Sequence, residues 1–184
     1  GAQVVKVEVP GAGDIARGWG PPFYNTETAY FVSLHRNKKS IEIDFKKKAG
    51  KALFFRLVER FDVVLENYRV GTLDKLGIAY DRARLRNPGI IYCSVSGFGQ
   101  TGPYAERAGY DFIIQGMGGF MSVTGERDDL PGGGPQKAGI AISDLMTGMY
   151  ACTAILAAIE HRKLANAGQY IDVIGHGGLR RSYS

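Results

Sequence analysis

"GIIYCSVSGFG", residues 89–99, is the stretch that decides the fold. Ile90 to Val95 make a short, nearly unbroken apolar run, closed by glycines at 97 and 99. A run of that length, rich in β-branched residues and bounded by turn residues, reads as a buried strand running into a Gly turn. Working upstream, "GTLDKLGIAYDRARLRNP" reads as two short helices closed by Pro88, and "DVVLENY" as a strand over Val63 to Leu65. "KKKAGKALFFRLVERF" puts Leu53, Leu57 and Val58 at helical spacing with charges on the other side. Before it lie a strand around Ser40 to Asp44, a basic turn, and "AYFVSLH" as a short helix or strand. "PGAGDIARGWGPPFYNTE" is a Gly/Pro-rich loop, and the alternating "QVVKVEV" is a strand. Downstream of residue 108 the pattern turns helical, through "GYDFIIQGMGGFMSVTG" and the run after Asp144, before a last strand, "GQYIDV".

Strands and helices thus alternate at intervals of roughly 25–30 residues, which predicts βαβ units. The expected class is α/β: a Rossmann-like open, mostly parallel sheet with flanking helices, followed by a helical segment. Ligands of such sheets bind beyond the carboxyl ends of the strands. "ENYRVG" and "SGFGQTGP" fall there.

The 184 residues suit one domain with a real core; 45% are hydrophobic and 22% charged, as in ordinary globular chains. The net charge of +5 would suit an anionic ligand, and a solvated surface explains it as well. Cys93 and Cys152 lie inside apolar runs and make no disulfide framework, so a reducing compartment is expected: cytoplasmic, or mitochondrial in a eukaryote. His35, His161 and His176 lack metal-ligand spacing, no C-x-x-C pair exists, and no G-x-S-x-G elbow is present. No metal is expected. "GAGDIARGWG" lacks the third glycine of a dinucleotide fingerprint, and "GGGPQ" at 132–136 reads as a turn. "HRNKKS" and "FKKKAGK" are solvated basic clusters or phosphate contacts. No stacking aromatics accompany them, so nucleic acid is not expected.

"AISDLMTGMYACTAILAAIEHR", residues 141–162, is broken by Thr, Gly and Tyr and closes on charges. It reads as a buried helix, not a membrane span. Asp144 near its head has two readings. It caps the helix by accepting first-turn N–H groups. Alternatively it is a carboxylate nucleophile, packed closely thanks to Gly148, Ala151, Ala154 and Ala157. Spacing leaves both open.

Taken in order, "GAQVVKVEVPGAGD", "RNKKSIEID", "DVVLENYRVGTLDKLG", "NPGIIYCSVSGFGQTGPYAERAGYD", "AISDLMTGMYACTAILAAIEHRK" and "GQYIDV" resemble the class III CoA-transferases from Gly1 to about Val173. The resemblance implies that CoA passes from an acyl-CoA donor to a carboxylic acid through a covalent aspartyl intermediate on Asp144. It implies CoA contacts at Ile43, Asp44, Phe45 and Lys46, at Asn67, Tyr68 and Arg69, at Lys75, and at Ala108, Gly109, Tyr110 and Asp111. Val9 departs from the pattern, because some relatives carry an Arg there; Lys38 or Lys39 would then serve its phosphate. "RNKKS" and "RAGYD" are similar to segments of transferases that act on dicarboxylates such as succinate and glutarate. Coenzyme A and acyl-CoA are implied as substrates, with no metal or prosthetic group.

Racemases of the same family look to a His where this chain has Tyr110, and phenol is a poor base near neutral pH. A racemase-like isomerase is therefore the lesser alternative, and a catalytically inactive CoA-binding fragment is the other. The resemblance further implies that residues 1–173 are part of the large domain, with an N-terminal unit and a C-terminal domain lying outside this sequence, and an unassigned tail at 174–184. The family's interlocked homodimer and the absence of nucleic-acid and membrane partners complete the expectation.

Overall fold

The computed structural model describes residues 1–175; of the expected tail at 174–184, Ile174 and Gly175 are described, and residues 176–184, His176 among them, lie outside the described residues. The chain divides into two compact units, Gly1–Arg56 and the part from Leu57 onward.

In the first unit, strand β1 (Val4–Glu8) leads through a turn of 3-10 helix (Ile15–Gly18) to a small antiparallel pair, β2 (Phe23–Tyr24) and β3 (Glu27–Thr28). The Gly/Pro-rich segment therefore carries more structure than a loop. Helix α1 (Ala29–Leu34) follows, capped by Thr28, whose Oγ1 accepts from Phe31 N–H at 3.1 Å and donates to the Ala16 carbonyl at 2.8 Å. Strand β4 (Lys38–Glu42) then runs parallel to β1, with Val4 opposite Lys38 and Glu8 opposite Glu42. That strand starts and ends two residues earlier than the Ser40–Asp44 expected, because β1 supplies partners for Lys38 and Lys39.

Glu8 is the buried charge of this unit. Its carboxylate accepts from Arg17 Nε at 2.9 Å and Nη2 at 2.7 Å, from Ser40 Oγ at 2.7 Å and from Asp14 N–H at 2.8 Å. Arg17 bonds Glu27 at 2.6 Å as well and lies over the Phe31 ring. Its hydrogen bonds are the main reason the Glu8 carboxyl is pulled down to about 2. Helix α2 (Lys48–Val58) starts in this unit and ends in the second.

The second unit is built on three parallel strands in the order β5 (Val63–Glu66), β6 (Ile91–Ser96), β9 (Tyr170–Ile174). Two short helices, α3 (Thr72–Leu76) and α4 (Tyr80–Arg86), make the first crossover, as expected. Ile90 to Cys93 are almost wholly buried, which bears out the reading of the opening stretch. Burial pushes the Cys93 thiol up to about 11, so it is inert near neutral pH. Cys93 and Cys152 are both free. Asn87 pins the crossover, donating to the Val58 and Phe61 carbonyls at 2.9 and 3.2 Å. The α/β class with mostly parallel pairing holds; the antiparallel pairs are the two-residue hairpins.

After residue 108 the chain is less helical than its pattern predicts. Helix α5 (Asp111–Met117) and a 3-10 turn (Phe120–Val123) give way to a hairpin of β7 (Gly125–Glu126) and β8 (Gly134–Pro135). "GGGPQ" belongs to this hairpin, whose Gly125 and Gly134 have φ of 121° and 107°. Those angles favour glycine and end the helical pattern.

Helix α6 (Ile142–Ala165) departs further from expectation. It packs on β6, β9 and α5 through one narrow face of Ser143, Thr147, Ala151 and Ala158. Leu145, Met149, Tyr150, Leu156 and Leu164 are exposed. The helix is thus buried on a small-residue stripe, not all round. By length and composition alone it is long and apolar enough to cross a membrane.

Candidate functional site

The head of α6 sits at the carboxyl edge of the three-stranded sheet. Gly175 follows β9 and donates its N–H to the Ser96 carbonyl at the end of β6, at 2.9 Å. A Cβ built on Gly175 would lie 3.5 Å from Thr147 Oγ1, one turn beyond Asp144. Thr147 itself donates to the Ser143 carbonyl at 2.6 Å.

The residue in the cap position of α6 is Ala141, which has no side chain to offer. Asp144 lies three residues further in and does not cap. The cap comes from Asp111, the first residue of α5. Its Oδ1 accepts from Ser143 N–H at 2.8 Å and from Asp144 N–H at 3.2 Å. Of the two sequence readings of Asp144, the capping one is overturned: another carboxylate has taken that work.

Asp111 is held in turn by Gln115, one helical turn along and fully buried. Gln115 Nε2 donates to Asp111 Oδ2 at 2.5 Å and to the Ile140 carbonyl at 3.3 Å, and Gln115 Oε1 accepts from Ala138 N–H at 2.9 Å. The amide is used at both ends, so its orientation is fixed by its partners. Segment 138–144 is thereby tied to α5.

Segment "AGYD" is tied to the strand end by bare backbone. A Cβ on Gly97 would lie 2.3 Å from Gly109 Cα, and the reverse distance is the same. Two side-chain-free residues are what lets the turn after β6 touch the start of α5. Ala108 and Tyr110 on either side are exposed.

Asp144 is exposed too, and among the described residues its carboxylate has no hydrogen-bond partner. Its carboxyl is held above the ordinary carboxylate range, by desolvation first and then by the negative charge of Asp111. Ser143 beside it is buried, with its Oγ unpartnered among the described residues. A carboxylate with no donors of its own, pushed towards higher basicity and facing outward, is free to act on an electrophile.

A second feature opens beside the same sheet: a cavity of about 250 Å³ between α3, α4 and one sheet face. Tyr68 and Arg69 line it, joined by Gln100 of the "SGFGQTGP" turn and by Tyr80, Tyr92 and Tyr170, which did not stand out in the sequence. Glu66, Asp74 and Asp81 line it as well, so it suits a flat aromatic ring better than a phosphate. Asn67 lies outside that lining; its Nδ2 donates to the Val95 carbonyl at 2.8 Å and fastens the end of β5 to β6. Lys75 is exposed on α3.

Ile43 to Lys46 belong to the first unit. Ile43 is buried and donates its N–H to the Glu8 carbonyl at 3.1 Å. Asp44 Oδ1 accepts from Lys46 N–H at 2.9 Å, and Phe45 packs edge-on against Phe54. Lys46 is exposed, as are Lys38 and Lys39. Val9, where some relatives carry an Arg, is exposed as well. Among the described residues no three His, Cys, Asp or Glu side chains gather as a metal site.

The model of "CoA-transferase family III" matches residues 1–176. The chain belongs to this family. It is 50% identical over 179 residues to the succinate–glutarate CoA-transferase of Agrobacterium fabrum, covering 94% of this chain and 44% of that enzyme. The succinyl-CoA:glutarate CoA-transferase of Mus musculus is 47% identical over 172 residues, with 94% and 38% covered. A CAIB/BAIF family protein from Brucella suis, known from its crystal structure, matches with a TM-score of 0.91 at 49% identity, over 97% of this chain and 47% of that one. This family member thus spans less than half the length of these relatives, and its fold is theirs.

Proposed function

We propose that the chain carries the nucleophile, and a share of the CoA contacts, of an enzyme that transfers CoA from an acyl-CoA to a carboxylic acid. The names of its relatives support dicarboxylates such as succinate and glutarate as donor and acceptor acids. One observation carries the assignment of Asp144: its helix is capped by Asp111, which leaves the Asp144 carboxylate exposed and, among the described residues, unpartnered.

In the proposed cycle a carboxylate oxygen of Asp144 bonds to the donor's thioester carbon. The C–S bond breaks and CoA thiolate leaves with the electron pair. The thiolate then attacks the Asp144 carbonyl of the mixed anhydride, releasing the donor acid and leaving an aspartyl-CoA thioester. The acceptor carboxylate attacks that thioester and expels the thiolate, which finally takes the acceptor acyl group and returns Asp144 to a carboxylate. Each step is an acyl exchange, and the sequence consumes no net proton and calls for no prosthetic group.

For CoA, Lys46 and Lys75 supply exposed ammonium groups for phosphates, with Lys38 or Lys39 in place of the Arg missing at Val9. Tyr68 and Arg69, at the aromatic cavity, are assigned to the nucleotide end. Ile43, Asp44, Phe45 and Asn67 shape its surroundings, and Ala108 to Asp111 line the thioester end. Tyr110 favours transfer over racemisation. A homodimer and a cytoplasmic location, or a mitochondrial one in a eukaryote, complete the proposal.

The test is intact-mass analysis of the chain incubated with succinyl-CoA and trapped with hydroxylamine. A hydroxamate on Asp144, absent in Asp144→Ala, is expected. An adduct that persists in Asp144→Ala would sink the assignment.

A further inference from the structure

We infer that Asp111 is a positioning residue for the Asp144 nucleophile: from another segment it fixes the backbone of the first turn of α6, and its charge favours every state in which the charge of Asp144 has been consumed. The inference rests on the reading of Asp144 given above.

A helix is ordinarily capped by a neutral or charged side chain at its own cap position. Here that position holds Ala141, and the acceptor arrives from 33 residues away. A local Ser at 141 would have satisfied the same N–H groups without adding charge. Asp111 brings a full negative charge instead, onto the very turn that carries a second carboxylate.

The two carboxylates are not equivalent. Asp111 accepts from Ser143 N–H, Asp144 N–H and Gln115 Nε2. Among the described residues Asp144 has no such donors. The Asp144 carboxyl is displaced upward, by desolvation first and then by the charge of Asp111.

The other neighbours do not alter this. α6 packs against α5, β6 and β9. β6 brings Tyr92 and Cys93, and β9 brings Tyr170 and Asp172. Asp172 accepts from Gln100 N–H at 2.8 Å. On α5 the charged side chain is Asp111.

The consequence follows the bonds. When an Asp144 oxygen bonds to the thioester carbon and the C–S bond breaks, the negative charge departs on the CoA thiolate. Asp144 is then neutral, as anhydride and afterwards as thioester, and the repulsion from Asp111 is relieved. Because free enzyme begins and ends the cycle, Asp111 leaves the overall equilibrium unchanged. It raises the fraction of enzyme resting as the covalent intermediate.

The experiment is a carboxyl-carbon NMR titration of the 184-residue chain labelled at aspartate, with Asp144 assigned by its loss in Asp144→Asn. Wild type, Asp111→Asn and Asp111→Ala are compared, with melting curves and the succinyl-CoA mass assay run on each across pH. In folded Asp111→Asn the Asp144 midpoint is expected to fall, the pH profile of adduct formation to move with it, and the labelled fraction to drop several-fold. A purely structural cap would change the melt and leave the midpoint where it was, and that result overturns the proposal. Should neither variant fold, wild type is titrated at low salt and at about 1 M KCl, where the screening length shrinks to about 3 Å. A lower midpoint in high salt supports the coupling, and an unchanged one overturns it. If wild type takes no label on Asp144, the nucleophile reading fails and the catalytic part of this proposal with it, while the titration still decides whether Asp111 acts on Asp144.

Discussion

Replacing Gly97 with Ala probes how the site is held without touching any side chain in it. The added Cβ would sit 2.3 Å from Gly109 Cα, 3.0 Å from its nitrogen and 3.2 Å from its carbonyl carbon. Carbon atoms rest at about 3.5–4.0 Å, so the two backbones must part by about 1.2 Å or more. Both partners are main chain, and neither can swing away as a side-chain tip could. Gly109 is two residues from Asp111, whose bond to Ser143 N–H is 2.8 Å long. A displacement of about 1 Å stretches it beyond hydrogen-bond range. Overpacking costs about 1–3 kcal/mol and a lost cap about 1 kcal/mol. The second unit is therefore expected to lose roughly 2–4 kcal/mol, or about 4–16 °C in Tm at this chain length. Misplacing the proposed nucleophile, Asp144, by about 1 Å would slow aspartyl adduct formation about a hundredfold. Melting by circular dichroism and the mass assay with succinyl-CoA read the two effects. A Gly97→Ala chain that melts within about 1 °C of wild type, on the scale of a few degrees per kcal/mol, and forms adduct at the wild-type rate would refute the reasoning.

Gly148→Ala is the matching control: it lies inside α6 with nothing near its would-be Cβ, so a gain of about 0.5–1 kcal/mol and a slightly raised Tm are expected. Glu8→Gln tests the first unit through pH. The Glu8 carboxyl is depressed to about 2 in the fold, so the stability it contributes is fully present above its unfolded value, about 4.5, and is lost as pH falls through 2. The variant should lose on the order of 3 kcal/mol at pH 7 and much less near pH 2, as read by urea melts at both pH values; an equal loss at both would exclude the linkage.

Parts of this architecture were written locally and could be read. The apolar run at 90–95, the helical spacing of Leu53, Leu57 and Val58, and Pro88 closing two short helices each express a rule acting within a few residues. β4 was placed two residues late because its limits are set by the register with β1, not by its own composition. The hairpin after α5 was missed because two-residue strands have no period to detect. Family resemblance singled out Asp144 but not what holds it. Asp111, 33 residues away, carried a CoA label, and its capping bond appears only once the fold brings α5 to α6. Tyr80, Tyr92 and Tyr170 come from three elements, and no spacing links them as one cavity wall.

Among the described residues, the contacts that set the geometry of Asp144 lie within the second unit: Gly97 on Gly109, Gln115 on Asp111 and Ala138, and Asp111 on the first turn of α6. None of them involves Ile43 to Lys46, which the first unit contributes. In the proposed assignment, holding the nucleophile and gripping the nucleotide draw on different sets of residues. A loss of basic residues in the first unit should raise the acyl-CoA concentration needed for labelling while leaving the Asp144 titration unmoved. A change at Asp111 or Gly97 should do the reverse, altering how Asp144 reacts at saturating acyl-CoA. The two kinds of failure therefore have different signatures, and a chain that binds CoA weakly can still present a reactive aspartate. For that reason adduct formation at high acyl-CoA concentration reports on the nucleophile more directly than turnover does.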